Sequence, residues 1–346
     1  MVINGLDRFL FDPTFDFLKS QYKNWAYLAH NASVTKDLVP GIISIIKHCP
    51  GKLKKIFGPQ HGFVTDVQDN MVESHDFVHP FFKLPIYSLY SETRAPLPEQ
   101  LSDLDLFIVD LQDVGTRVYT YITTVAYLLK ATEGRDIHVV ILDRPNPVGG
   151  NILEGNILDM DFTSFVGVLP IPMRHGLTLG EFALFAQKYF YPKAAVSVVS
   201  MSGWKRSMMF KDTEQVWVNP SPNLATPDSA LVYPGSVLFE GTNISEGRGT
   251  TRSLECLGHP QIEAYAFCDH LNSLLAASGL VGQVLRPINF LPTFQKHQSK
   301  SCGGIFIHPT DPLKFRPWSV CQLIMRELYH HSGKFFRWNE SPYEYQ

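Results

Sequence analysis

Five carboxylates stand where apolar runs give way to polar, turn-rich segments: Glu92, Asp110, Asp113, Asp143 and Glu246. Two carboxyl groups flanking one bond are what glycoside hydrolysis requires. One protonates the leaving oxygen, and the other attacks or stabilises the sugar cation or activates water. Glu92 lies between Tyr90 and Arg94, so an aromatic wall would favour its protonated form and the arginine its ionised form. Two structural roles compete with catalysis. Glu92 could simply pair with Arg94, and Asp113 could cap a helix beginning at Thr116.

Other chemistries find less support. Thirteen histidines contain no His-Glu-x-x-His, and His61, His75, His79 and His175 show no metal-ligand spacing, so no metal is expected. His61 stands apart as a functional candidate because glycines flank its loop. No Gly-x-Ser-x-Gly elbow is present, which disfavours a serine hydrolase. The Gly-rich stretch 241–249 lacks the Gly-Lys-Ser/Thr of a phosphate loop, and no cofactor is expected. It does carry Arg248, with Arg252 just beyond, which suits an anionic ligand group or, equally, a structural turn with solvated arginines. Cys49, Cys256, Cys268, Cys302 and Cys321 are scattered and odd in number, as expected of buried thiols in a reducing compartment.

The elements that must hold these residues are legible from periodicity. Residues 104–122 are the centre: an apolar β-branched run breaks into a polar turn with Asp110, Gln112, Asp113 and Gly115, and a helix pattern resumes at Thr116. Short apolar runs at 25–28, 53–57, 84–89, 106–109, 137–142 and 195–199 alternate with helical spacing at 12–22, 38–47, 116–132 and 178–189. That alternation predicts an α/β doubly wound, mostly parallel sheet covered on both faces. Five successive strand ends, at His30, Gln60-His61, Glu92-Thr93-Arg94, Asp110 to Asp113 and Asp143-Arg144, then fall on one rim. In such sheets ligands bind at that rim.

Beyond residue 209 the texture changes. Residues 217–223 are Pro-rich, 233–258 are turn-rich, and helical patterns at 262–277 and 317–330 flank strands near 284–290 and 304–308. The expectation is a catalytic domain over 1–210 and a second, smaller α+β domain over 211–346. With 30 basic against 33 acidic residues, a net charge of −3 and no basic run, the chain lacks the cationic face that nucleic acid requires. No apolar run approaches the roughly 18 residues of a membrane span. The first residues do not read as a signal peptide, so a cytoplasmic protein is expected, or a periplasmic or secreted one if a leader has been removed. Oligomeric state leaves no signature.

Six motifs, in order along nearly the whole chain, carry a family resemblance. They are Phe57-Gly58-Pro59-Gln60-His61-Gly62; Tyr87-Ser88-Leu89-Tyr90-Ser91-Glu92-Thr93-Arg94; Asp110-Leu111-Gln112-Asp113-Val114-Gly115 with Tyr119-Thr120-Tyr121; Leu142-Asp143-Arg144-Pro145-Asn146-Pro147; Arg174-His175-Gly176; and Glu240-Gly241-Thr242-Asn243 through Ser245-Glu246-Gly247-Arg248 to Arg252. Together they resemble the NamZ-type exo-β-N-acetylmuramidases, glycoside hydrolase family 171. The resemblance implies a Rossmann-like domain, a smaller C-terminal domain and a cleft between them. It also implies release of terminal N-acetylmuramic acid from the non-reducing ends of peptidoglycan fragments in cell-wall recycling.

On this reading Glu92 is the general acid, with Asp110, Asp113 or Glu246 opposite. The sugar would be held by Gln60, His61, Arg94, Tyr119, Asp143, Arg144, Asn146, His175 and Asn243. Its lactyl carboxylate would take a cation from Arg117, Arg174, Arg248 and Arg252. The sequence departs from the family pattern at Gln60, where the family loop usually reads Gly-Pro-Glu-His-Gly, at Ser91 in place of Gly, and at Ser253-Leu254 in place of Pro-Phe. It also stops soon after residues 342–345. A non-catalytic muropeptide-binding protein or degenerate paralogue is the alternative that these departures suggest. A peptidoglycan amidase or esterase would need a metal site or nucleophile that the sequence does not offer.

Overall fold

The computed structural model describes residues 1–66, 68, 72–331, 333 and 335–340. The strands, in chain order, are β1 (Trp25–Ala29), β2 (Leu53–Gly58), β3 (Phe77–Val78), β4 (Pro85–Ser88), β5 (Leu106–Asp110), β6 (His138–Leu142), β7 (Glu154–Ile157), β8 (Pro172–Arg174), β9 (Ala195–Val199), β10 (Cys256–His259), β11 (Gln283–Phe290) and β12 (Cys302–Pro309). Two compact units result. The first comprises Met1–Asn151, Phe165–Leu169 and Gly176–Pro222; the second comprises Ile152–Ser164, Pro170–His175 and the chain from Asn223 onward. The stretch 342–345, where the sequence suggested an early stop, lies outside the described residues.

The first unit is built on a seven-stranded sheet in the order β3-β4-β2-β1-β5-β6-β9. All its pairings are parallel except that of β3 with β4. Without the two-residue edge strand β3, the parallel strands follow the 3-2-1-4-5-6 order of the Rossmann-like doubly wound fold. The order reverses between β1 and β5, so the crevice expected at the switch point opens beside His30 and the loop after Asp110.

Sequence explains why these strands are central. Every residue of β1 and of β5 is buried, as parallel strands covered on both faces require. Alternate side chains from neighbouring strands, Trp25, Tyr27, Leu106, Ile108, Val140 and Leu142, join Leu6, Phe9 and Leu10 of the helix Gly5–Phe11 and Ile42 and Ile45 of the helix Gly41–His48 in one core. On the other face Phe57 and Phe107 lie with ring centroids 4.9 Å apart. Burying one such side chain contributes about 1.5–3 kcal/mol, so the strand core holds the rim loops against a rigid base.

Two helix starts differ in how they meet expectation. Thr178 accepts from the Glu181 N–H while Glu181 reaches back to the Thr178 N–H, a capping box that fixes Leu179–Tyr189 where periodicity placed it. The helix after β5 begins only at Tyr121, not at Thr116. Residues 113–119 close a turn instead: Gly115 N–H donates to Asp113 Oδ2 at 2.7 Å, and Tyr119 N–H donates to the Thr116 carbonyl at 2.9 Å.

The second unit carries the antiparallel sheet β10-β12-β11 and the two-stranded β7-β8. The helices Ala264–Ala277 and Pro317–His331 match the two helical patterns, and the former packs on β11 and β12. Pro227–Ser236 is also helical, although the sequence around it reads as turns. Pro234 and Gly235 discourage a helix on propensity, but a Cβ at Gly235 would lie only 2.1 Å from the Pro317 carbonyl oxygen. Close packing on the helix Pro317–His331 therefore overrides propensity there.

No helix among the described residues is long and apolar enough to cross a membrane. The five cysteines are free and buried.

Candidate active site

Five strand-end loops of the first unit form its rim. After β1 comes His30, which is buried. Its Nε2 accepts from the Gln112 N–H at 3.0 Å, so Nδ1 carries the proton and donates to the Pro220 carbonyl at 3.2 Å; Tyr121 Oη donates to that carbonyl at 2.7 Å. Burial first, and then the Arg144 charge, push the imidazole down to about 3, so it is a neutral strut between two loops.

After β2, Gln60 Oε1 accepts from Thr120 Oγ1 at 2.6 Å, tying this loop to the start of the helix Tyr121–Thr132. His61 follows with φ +70°, in the left-handed region that few residues other than glycine adopt. Strain of this kind collects at functional loops.

After β4, Glu92 is exposed in a bend. Its flanking residues do not approach it as the sequence suggested. Tyr90 is fully buried and packs on Phe165, with ring centroids 5.6 Å apart. The Arg94 guanidinium lies 4.0 Å from the centre of the Tyr90 ring, pairs with Glu73 at 3.3 Å and donates to the Ser91 carbonyl. Arg94 is thus a clamp across the bend, leaving Glu92 presented to solvent.

After β5, Asp110 is fully buried and both its oxygens are engaged. Oδ2 accepts from Tyr27 Oη at 2.6 Å and Oδ1 from Arg144 Nε at 2.5 Å. Arg144 also donates to the Val34 carbonyl at 2.9 Å. The pair is an internal anchor between the loops after β5 and β6. Asp113 is buried and holds the Gly115 N–H, so it shapes the turn rather than capping the helix. Gly115 has φ +73°, and a Cβ there would meet Asn146 Oδ1 at 2.3 Å, so only glycine fits between these loops. Arg117, Tyr119 and Thr120 are buried along the same turn.

After β6, Asp143 accepts from Thr178 Oγ1 and from the Gly180 N–H, both at 2.8 Å, and so supports the start of the helix Leu179–Tyr189. Burial raises its pKa to about 6 against those hydrogen bonds. Asn146 donates to the Leu177 carbonyl at 2.9 Å and accepts from the Val148 N–H at 3.1 Å. Gln112 Nε2 donates to the Asp113 and Pro145 carbonyls, each at 2.8 Å, linking the loops after β5 and β6.

The candidates in the second unit are likewise committed internally. Glu246 is buried between Lys296 Nζ at 2.9 Å and Arg248 Nε at 3.1 Å, and Arg248 also pairs with Glu240. Burial pushes the Glu246 carboxyl up, but Lys296 and Arg248 outweigh it and hold it below its ordinary range. A carboxylate kept ionised in this way is a poor proton donor. Arg174 pairs with Glu154 at 3.0 Å in the β7-β8 pair, with His175 buried beside it in sequence. Asn243 accepts from the Arg337 N–H at 2.8 Å and donates to the Phe335 carbonyl at 2.6 Å, pinning the segment around 335–337. Arg252 pairs with Glu255 at 2.9 Å, yet its side chain stays 40% exposed.

Sequence reasoning passed over the partners Glu154 and Lys296; it placed His30 at a rim strand end and Thr120 and Glu240 in the family motifs without giving them a partner. Among the described residues no group of three or more His, Cys, Asp or Glu could hold a metal ion.

A Rossmann-like unit with polar strand-end loops, together with a small α+β unit, defines a two-unit α/β protein. The chain belongs to the exo-β-N-acetylmuramidase NamZ family: residues 26–228 match its N-terminal part and residues 231–345 its C-terminal part. It is 43% identical over 293 residues to the peptidoglycan β-N-acetylmuramidase NamZ of Bacillus subtilis, spanning 85% of this chain and 70% of that protein. Two crystal structures of DUF1343 family proteins from Bacteroides fragilis are similar. One has a TM-score of 0.85 at 31% identity, covering 96% of this chain and 83% of its own, and the other 0.73 at 27%, covering 97% and 86%.

Proposed function

We infer that this chain is an exo-acting glycoside hydrolase that releases terminal N-acetylmuramic acid from the non-reducing ends of peptidoglycan fragments. The observation that carries the reading is family membership across both units in order. The site supplies the roles. Of the four rim carboxylates in the first unit, Asp110, Asp113 and Asp143 are buried and hydrogen-bonded, whereas Glu92 is exposed. Glu92 is therefore the general acid that protonates the leaving oxygen, and a sugar lying over it excludes water from the reacting atoms.

Asp113 acts as a positioning residue through the Gly115 turn. Arg117, on that same turn and buried, is the cation we assign to the lactyl carboxylate. Gln60 still ties its loop to the start of the helix Tyr121–Thr132, because its Oε1 accepts from the Thr120 hydroxyl, a bond that a glutamate would also accept.

The test uses two isomeric disaccharides, one with muramic acid at the non-reducing end and one with N-acetylglucosamine there. The expected outcome is release of muramic acid from the first and no cleavage of the second. Binding of the first without turnover would instead establish the muropeptide-binding alternative.

A further inference from the structure

We propose that the groove lined by the segment directly following Glu92 is the subsite for the leaving glycan strand, and that it takes the lactyl carboxylate of a second muramic acid. This rests on the muramidase reading and extends it from the cleaved sugar to what lies beyond the scissile bond. The groove encloses about 680 Å³ between the segment that follows Glu92 and the helix Tyr121–Thr132. A volume of this order suits a ligand larger than one sugar.

Its position follows from the chemistry. A general acid stands beside the glycosidic oxygen, so the sugar departing with that oxygen must pass the residues next to the acid. Thr93 and Arg94, the two residues directly after Glu92, line the groove. From the start of the helix to Lys130 is roughly 14 Å along the axis, so the groove leads well away from the rim.

Its chemistry also matches. Pro96, Leu97 and Tyr127 give it an apolar, aromatic wall of the kind on which sugar rings pack. Lys130 and Arg135 supply two cations against the single carboxylate of Glu133, beside Arg94, which is paired with Glu73, on a chain whose net charge is −3. Glu133 is itself turned to the Lys193 N–H at 3.1 Å, while Lys130 and Arg135 are exposed. A peptidoglycan glycan freed of its stem peptides carries a lactyl carboxylate on every second sugar, so a denuded, anionic strand is the complementary occupant.

The test compares a tetrasaccharide of alternating muramic acid and N-acetylglucosamine, muramic acid at its non-reducing end, with a nitrophenyl muramic acid glycoside. The protein carries Lys130→Glu and Arg135→Glu together. The ratio of kcat/KM on the tetrasaccharide to that on the glycoside should fall about five- to tenfold, as expected for two exposed charge reversals. The loss should appear in KM, and the wild-type tetrasaccharide KM should rise with salt. Lys130→Arg with Arg135→Lys should keep the ratio.

An unchanged ratio in the charge-reversed protein would overturn the groove assignment while leaving the muramidase reading intact. So would a parallel loss on both substrates, or a loss seen only on fragments carrying stem peptides. Wild-type protein that cleaves neither substrate overturns both readings.

Discussion

Glu246→Gln separates a structural from a catalytic role for the most elaborate charge cluster in the chain. Glu240 and Glu246 balance Arg248 and Lys296, and Lys296 Nζ completes its shell with the Phe239 and Ile244 carbonyls at 2.7 and 3.2 Å. Removing the Glu246 charge leaves two cations with one carboxylate in a buried setting. Breaking such a pair costs about 3–5 kcal/mol. At roughly 2–4 °C per kcal/mol, the melting temperature of Glu246→Gln should drop by roughly 6–20 °C.

The second substitution Lys296→Met, made together with Glu246→Gln, should recover part of the loss because no lone charge then remains at that end. The pH dependence carries a sign. Since folding lowers the Glu246 pKa, its contribution is fully present above the ordinary value of 4.5 and is lost as pH falls through the folded value. The assay is thermal melting by circular dichroism at neutral pH, with turnover measured well below both transitions. A melting temperature within about 2 °C of wild type, combined with lost turnover, would refute the reasoning and make Glu246 a group that acts on substrate.

Two further predictions concern the first unit. Asp110→Asn leaves the buried Arg144 guanidinium facing a neutral amide, and the urea midpoint should fall by the equivalent of about 3–5 kcal/mol; a shift under about 1 kcal/mol would mean that the pair is not the anchor described. His30 should make the first unit acid-sensitive. The unfolded chain takes up a proton as pH falls through about 6.5, while the folded imidazole stays neutral down to about 3, so stability declines with pH across that window. In His30→Gln, whose amide can accept from Gln112 and donate to Pro220, the slope of the unfolding midpoint over that window should flatten; an unaltered slope would contradict the assignment.

The sheet was legible because its central strands are continuous apolar runs between turn residues, and two-sided burial writes that pattern directly into β1, β5 and β6. Short or interrupted elements were not. β3 is two residues long, β7 and β8 lie in a Gly- and Pro-rich excursion, and Pro234 hides the helix Pro227–Ser236. For the helix after β5, turn chemistry at Asp113 and Gly115 defeats a periodicity that runs on from Thr116.

The site divides the same way. Strand-end position identified which residues gather at the rim, because topology alone decides that. It could not say which side chains are spent on one another, because Asp110 with Arg144, Glu246 with Lys296 and Gln60 with Thr120 are separated by 34, 50 and 60 residues and meet only in the fold. Arg94 illustrates the limit most sharply. Two residues from Glu92, it turns to Glu73 and the Tyr90 ring.

The central claim is that Glu92 donates the proton. The most direct measurement is release of muramic acid by Glu92→Gln from the disaccharide with muramic acid at its non-reducing end, alongside the variant's melting curve. Because Glu92 is exposed, the substitution should leave stability within about 0.5 kcal/mol, while kcat should fall about 10²–10⁴-fold on a substrate whose leaving group needs protonation. Turnover at the wild-type rate from the folded variant would contradict the account.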